Sequence, residues 1–190
     1  MSVNIIDLLS RQQSIDNLPK IDPNTQNIGE KQNGSSDLLL QAVIPSILAG
    51  FYQYSRNESN AEKILNTAGQ SNWLDILYGN DKTVLLQKIA QYATVPVPEV
   101  ETKMQTIANE TVRLLKTNAT PDNGPGVKNL LTDQRHSILN HLPAAIGIGD
   151  ALNDTTLDDR TNKMEGPVSS LMHAIEKQFS STEVAKDKKS

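Results

Sequence analysis

Three histidines, one dense acidic run and no cysteine are the material from which this chain could build a reactive site. His136 and His141 stand five positions apart, which separates them by about 140° around a helix, so one face cannot offer both to a metal. His173 is remote in sequence and no His-Glu-x-x-His frame occurs, so the histidines read as ordinary polar or capping residues. The acidic run over residues 150–165 comes closer to a site. With Asp154 at position one, Asp158 takes the fifth place and Glu165 the twelfth of a calcium-binding loop. The frame then fails chemically. Asp159 stands where the sharp turn demands glycine, Thr156 replaces a carboxylate, and Arg160 and Lys163 bring opposing charge.

The run therefore reads as an ordered connector, with Asp158 or Asp159 paired to Arg160, Lys163 or a neighbouring helix. Recognition side chains concentrate in loops held by a rigid scaffold, and Asp158, Asp159, Arg160, Asn162 and Glu165 are the candidate binding residues. Other chemistry finds no footing. Gly124-Pro125-Gly126 lacks the Lys-Ser/Thr partner of a phosphate loop, and its proline removes a donor amide. No Gly-x-Ser-x-Gly elbow is present. Glu99 and Glu101 lie at a predicted helix start, where carboxylates favour the macrodipole. The sequence names no catalytic residue, no metal-ligand set and no cofactor.

The zero cysteine count excludes disulfides, thiolate metal sites and cysteine nucleophiles. A formal charge of −4 argues against a surface that neutralises phosphates, and the one lysine cluster, Lys186, Lys188 and Lys189, is interrupted by Asp187 and reads as a solvated end. The first residues lack a basic region ahead of their apolar ones and are broken by Asp7, unlike a signal peptide, and no segment is expected to span a membrane. A bacterial cytoplasmic location is the default expectation.

Along the chain, helical periodicity recurs and strand alternation does not. A short helix over residues 3–15 precedes a polar, turn-rich stretch punctuated by Pro19, Pro23, Gly29 and Gly34. From Ser36 or Asp37, apolar residues cover the whole circumference of a helix to Phe51, which marks it as central; Pro45 predicts a kink or a break inside it. Residues 58–68 follow as a helix capped by Asn57 and ended by Gly69. A short segment is anchored on Trp73, the only tryptophan. Asp81 is expected to cap a helix with Val84, Leu85, Ile89 and Tyr92 aligned. Pro98 should open the helix that carries Val100, Met104, Ile107, Ala108, Leu114 and Leu115 to about Thr117. Residues 120–126, with two prolines and two glycines, predict a linker. Val127, Leu130, Leu131, Ile138 and Leu142 make a further helix ended or kinked at Pro143, and Gly166-Pro167 should open a last one with Val168, Leu171, Met172, Ile175 and Phe179. The segments at 44–50 and 142–149 look alike, either by coincidence or as two kinked helices of duplicated origin.

The run Ala42-Val43-Ile44-Pro45-Ser46-Ile47-Leu48-Ala49-Gly50-Phe51, followed by Asn60-Ala61-Glu62-Lys63-Ile64-Leu65, Leu85-Leu86-Gln87-Lys88-Ile89-Ala90-Gln91-Tyr92-Ala93 and Val97-Pro98-Glu99-Val100, resembles a bacterial family, domain of unknown function 937, related in style to the YidB-like proteins. The family's late Leu-Leu, Gln, Ile, Leu-Pro pattern is matched by Leu130, Leu131, Gln134, Ile138, Leu142 and Pro143. The resemblance spans residues 37–152, departs from the family's glycine-rich character, and finds no counterpart for residues 153–180. It implies an all-α fold and carries over no catalytic residue.

The expectation is an all-α, compact helical bundle of seven or eight helices. Residues 1–36 would form a short helix and flexible arm, 37–119 a core subdomain, 120–126 a linker, 127–180 helices packing on the core, and 181–190 a polar tail. The expected function is a non-catalytic protein-interaction or structural module with a protein partner or self-association. The alternatives are a small-molecule or metal-binding module using residues 154–165, and a nucleic-acid binder with a helix-turn-helix within residues 83–111.

Overall fold

The computed structural model describes residues 3–22, 34–67 and 71–158. They form an all-α bundle with no strand among the described residues. In chain order the helices are α1 (Ile5–Gln12), α2 (Ser35–Ser55), α3 (Glu58–Asn66), α4 (Trp73–Tyr78), α5 (Lys82–Ala93), α6 (Val97–Asn118), α7 (Gly124–His141) and α8 (Ile148–Leu152), with 3₁₀ turns at Gly79–Asp81, Ala144–Ile146 and Thr155–Leu157.

The apolar circumference of α2 does place it at the centre. Its residues from Leu39 to Phe51 are all buried, and α3, α5, α6 and α7 pack around it. It is also the one described helix long and apolar enough to cross a membrane, with most of that length buried inside the bundle. The expected kink or break does not end the element: α2 runs from Ser35 to Ser55 through Pro45. A proline inside a helix costs about 3 kcal/mol. Here it is offset by burial on every side, with Ile44, Ile47 and Leu48 fully inaccessible. Leu142-Pro143, by contrast, terminates α7 in extended backbone, and Gly147 then turns at φ +56° into α8. The two similar segments are therefore one unbroken helix and one corner, not paired kinked helices.

Around α2 the sequence periodicity maps onto the core with one phase error. On α6, Val100, Met104, Ile107, Ala108, Leu114 and Leu115 are all buried, joined by Thr111 and Val112, and Pro98 sits in the first turn. On α5 the buried face is Leu85, Leu86, Ile89, Ala90 and Ala93, while Val84 is 52% exposed. Leu85, Ile89 and Ala93 recur every four residues, and Val84 lies one step, about 100°, off that stripe. Asp81 accepts no capping hydrogen bond, whereas Asn57 caps α3 through Asn60 N at 3.3 Å. Gly69 lies outside the described residues. Trp73 is the anchor expected, with its ring against Phe51 and Tyr54.

The predicted linker is shorter than residues 120–126, because Gly124, Pro125 and Gly126 form the first turn of α7. Pro125 suits that turn, which has no use for its missing N–H. Asn123 Oδ1 accepts from Gly126 N at 3.0 Å, and Glu62 Oε2 of α3 accepts from Gly124 N at 2.7 Å. A Cβ at residue 126 would overlap the Pro121 carbonyl, so the close approach requires glycine. One hydrophobic cluster runs from Ile5 to Leu157 across both sides of this junction.

The amino-terminal segment is held by two buried glutamines. Gln134 on α7 accepts from Ile5 N at 2.8 Å and donates to the Val3 carbonyl at 3.1 Å. Gln41 on α2 donates to the carbonyls of Pro19, at 3.1 Å, and His141, at 2.6 Å. Leu18 and Ile21 are buried, and Ile21 N donates to the Asn140 carbonyl at 2.8 Å. The portion of the expected flexible arm up to residue 22 is thus packed and hydrogen-bonded. Residues 23–33, the predicted last helix and the lysine-bearing tail lie outside the described residues.

Candidate functional site

The start of the acidic connector folds inward. After α8, Asn153 adopts φ +51° and reverses the chain, so that Asp158 returns to the amino-terminal turn of α8. There its carboxylate accepts from Gly149 N at 2.8 Å and Asp150 N at 3.2 Å. Asp158 is only 4% exposed. It pairs with a neighbouring helix, one of the partners expected, but as a buried lock and not as an accessible binding residue. Asp159, Arg160, Asn162 and Glu165, the other candidate binding residues, lie outside the described residues.

Asp154 is buried as well. Its Oδ1 accepts from Thr156 N at 3.1 Å and Thr156 Oγ1 at 2.6 Å, and its Oδ2 meets Arg56 Nη1 at 2.8 Å. Burial works to raise its pKa, but the Thr156 hydrogen bonds and the Arg56 and Arg135 charges outweigh it and hold the carboxyl below its usual value. Arg135 Nη2 donates to the Thr156 carbonyl at 2.9 Å while its guanidinium lies 6.0 Å from the centre of the Tyr52 ring. These bonds tie the connector to the end of α2 and to α7. The described carboxylates of the calcium-loop frame are spent on these partners, and no group of three metal-ligating side chains occurs among the described residues.

His141 is likewise structural. Its Nδ1 lies 2.7 Å from the Ser137 carbonyl, one turn back on α7. Burial is the main influence on its pKa and lowers it below the usual histidine value. His136 sits exposed on the same helix, and His173 is outside the described residues.

An accessible candidate site lies elsewhere, on the polar side of α6. A groove of about 750 Å³ runs between that helix and the segment leading into α4, lined by Ser71, Asn72, Leu74, Glu101, Thr102, Gln105, Thr106, Asn109 and Glu110. Thr102, Gln105, Thr106 and Asn109 recur at offsets of three, four and seven, so one helix face presents them all. The same periodicity that drives Met104, Ile107 and Ala108 into the core turns these outward. The threonine hydroxyls donate back into the helix, to the Pro98 carbonyl at 2.8 Å and the Thr102 carbonyl at 2.9 Å. Gln105 Nε2 donates to the Ser71 carbonyl at 2.7 Å and to Asn109 Oδ1 at 3.3 Å.

That arrangement fixes both amide groups and leaves Gln105 Oε1 and Asn109 Nδ2 without a partner among the described residues. One acceptor and one donor remain on neighbouring side chains. At one end Glu101 meets Lys82, itself held by Asp75 at 2.6 Å, and at the other Glu110 pairs with Arg113. The Asp75 hydrogen bond is the main reason the Lys82 pKa is raised. Sequence reasoning passed over these residues because amides and hydroxyls on an amphipathic helix look like any solvated face. The overhang of residues 71–74, which makes a groove of that face, is a tertiary feature.

Comparison of the chain with protein-family models, with curated proteins and with solved structures finds no match.

Proposed function

We propose that the protein is a non-catalytic interaction module that takes a short extended stretch of a partner polypeptide in the α6 groove. The observation that carries this reading is the pair of atoms left open by the Gln105–Asn109–Ser71 network, an amide oxygen and an amide nitrogen on neighbouring side chains. A peptide unit offers the complement, one N–H and one C=O. Because both side chains are already fixed, a ligand meets them without first ordering them, which lowers the entropic cost of binding.

The rest of the lining favours the same class. It holds no aromatic ring on which a sugar or base could stack and no basic side chain for a phosphate. Glu101 and Glu110 are nine residues apart on α6, about 13 Å along its axis. About four residues of extended chain cover that distance, and basic side chains at the two ends of such a stretch would join the Glu101 and Glu110 ion pairs. The family resemblance, with no activity attached to it, adds only the helical scaffold to this reading.

The test is selection of a random peptide display library on the full-length chain. Enrichment of a shared short motif that disappears when selection is repeated on Gln105→Ala/Asn109→Ala is the expected result. No enrichment, or a motif indifferent to that substitution, would sink the proposal.

A further inference from the structure

Residues 3–22 sit on the remainder of the chain in the manner of a bound ligand. Ile5, Ile6 and Leu9 are fully inaccessible, Leu18 and Ile21 nearly so, and α1 packs on α2 and α6. Most of the polar contacts go to the segment's backbone: Gln134 holds residues 3 and 5, Gln41 holds residue 19, and the Asn140 carbonyl takes the N–H of residue 21, while Lys103 reaches the Gln13 side chain. This is how a polypeptide is recognised when apolar pockets supply affinity and main-chain bonds supply register.

We infer that the same seat accepts this segment from a second copy of the chain, giving a dimer in which two chains exchange residues 3–22. Nothing in the contacts themselves distinguishes an occupant belonging to the same chain from an identical one belonging to a neighbour. The seat cannot stand open at low cost, because vacating it exposes the apolar residues on both sides. In a reciprocal exchange both seats are filled and no contact is lost, so association entropy is the main opposing term.

The connection is long enough. Eleven residues, 23–33, join Asp22 to Gly34, and at 3.3–3.6 Å each they reach roughly 36–40 Å. That exceeds the ~30 Å span of a small domain. A tethered segment competes at an effective concentration on the order of millimolar, so the exchanged form should grow with protein concentration. This inference is independent of the α6 groove and stands or falls without it.

The experiment uses the full chain, which has no cysteine of its own. In Gln13→Cys/Lys103→Cys the introduced thiols replace side chains that meet at 3.4 Å across the seat. A second pair, Val3→Cys/Leu130→Cys, replaces residues whose carbonyls share the Gln134 amide. Each variant is incubated from micromolar to millimolar concentration, treated with a short bismaleimide and run on a denaturing gel, with light scattering in parallel. Exchange predicts that the covalent dimer fraction rises severalfold over that range, in step with the scattering mass. Cross-links confined to single chains at every concentration would overturn it, including where scattering reports dimers, since those dimers would then be joined elsewhere. Failure of both pairs to react, within or between chains, would overturn the seat itself.

Discussion

The connector at residues 154–158 and the groove on α6 are both polar, but they differ in where their polarity is directed. Asp154 and Asp158 turn inward and are each less than a tenth exposed, with their oxygens accepting from backbone amides, a hydroxyl and Arg56. In the groove the fixed amides of Gln105 and Asn109 keep one acceptor and one donor open toward solvent. Formal charge lies at the centre of the first region, whereas in the second it stands at the two ends, on Glu101 and Glu110, with neutral hydrogen-bonding groups between them. A buried carboxylate is costly unless every oxygen is satisfied, so an acidic cluster beside a glycine-bearing turn is as apt to be a lock as a site. Recognition needs groups whose bonding is incomplete, and the neutral amides of the groove are such groups.

The widest separation between the two regions should come from Gly149→Ala. A Cβ there would collide with the Asp158 carboxylate and crowd the Asp154 carbonyl, forcing Asp158 off two amides and leaving a buried charge unsatisfied. A loss of about 3 kcal/mol is expected, read as a lower urea midpoint with an unchanged slope. Asp158→Ala removes the same bonds without the collision and should cost about 2 kcal/mol. A loss under about 0.5 kcal/mol for both, the level of an ordinary surface change, would return the connector to the status of an accessible surface.

Acid titration should single out the connector next. The Asp154 carboxyl is held below its usual value in the folded chain, so its contribution to stability is present above the unfolded pKa and lost as pH falls through the folded one. Melting temperature should therefore drop below about pH 4, and Asp154→Asn should flatten that limb. His141 acts in a separate window. Burial depresses its folded pKa, so the unfolded chain takes up the proton first, and stability falls as pH drops below about 6.5. His141→Gln should remove that slope and leave the acid limb intact. Arg56→Ala comes third in size. Its side chain is 56% exposed, and screening limits the loss to about 1 kcal/mol.

Much of the scaffold was legible because burial follows period. Every apolar position named on α6 is buried, and the all-round apolar helix is the central one. The errors have identifiable causes. Val84, Leu85 and Leu86 are adjacent and all apolar, so a short helix could be phased on either side, and tertiary contact chose Leu85 and Leu86. Pro45 and Pro143 sit in nearly the same local sequence and both are buried, yet the first lies midway along a helix that all seven other described helices touch and the second follows a helix end, which local pattern cannot reveal. Gln41 and Gln134 carry no chemical signature at all, though Gln134 belongs to the Leu-Leu, Gln, Ile, Leu-Pro pattern. Its two long-range bonds, to residues 3 and 5, give that polar residue a structural reason. The site was missed for the same reason as the glutamines. Amides become informative only once their partners are known.

The smallest effect on stability is expected where the effect on binding is largest. Gln105 and Asn109 are half-buried, and truncating them removes the 2.7 Å bond to Ser71 and the bond between the two amides while leaving the apolar face of α6 untouched. Surface changes of this kind usually stay within about 0.5 kcal/mol, so the melting curve of Gln105→Ala/Asn109→Ala should overlay that of the parent chain. Peptide capture should nonetheless vanish, since one donor and one acceptor are lost together from a preorganised pair. A variant that lost binding and several degrees of melting temperature at once would mean that the network braces residues 71–74 against α6. The comparison would then collapse, with groove and connector both serving as structure.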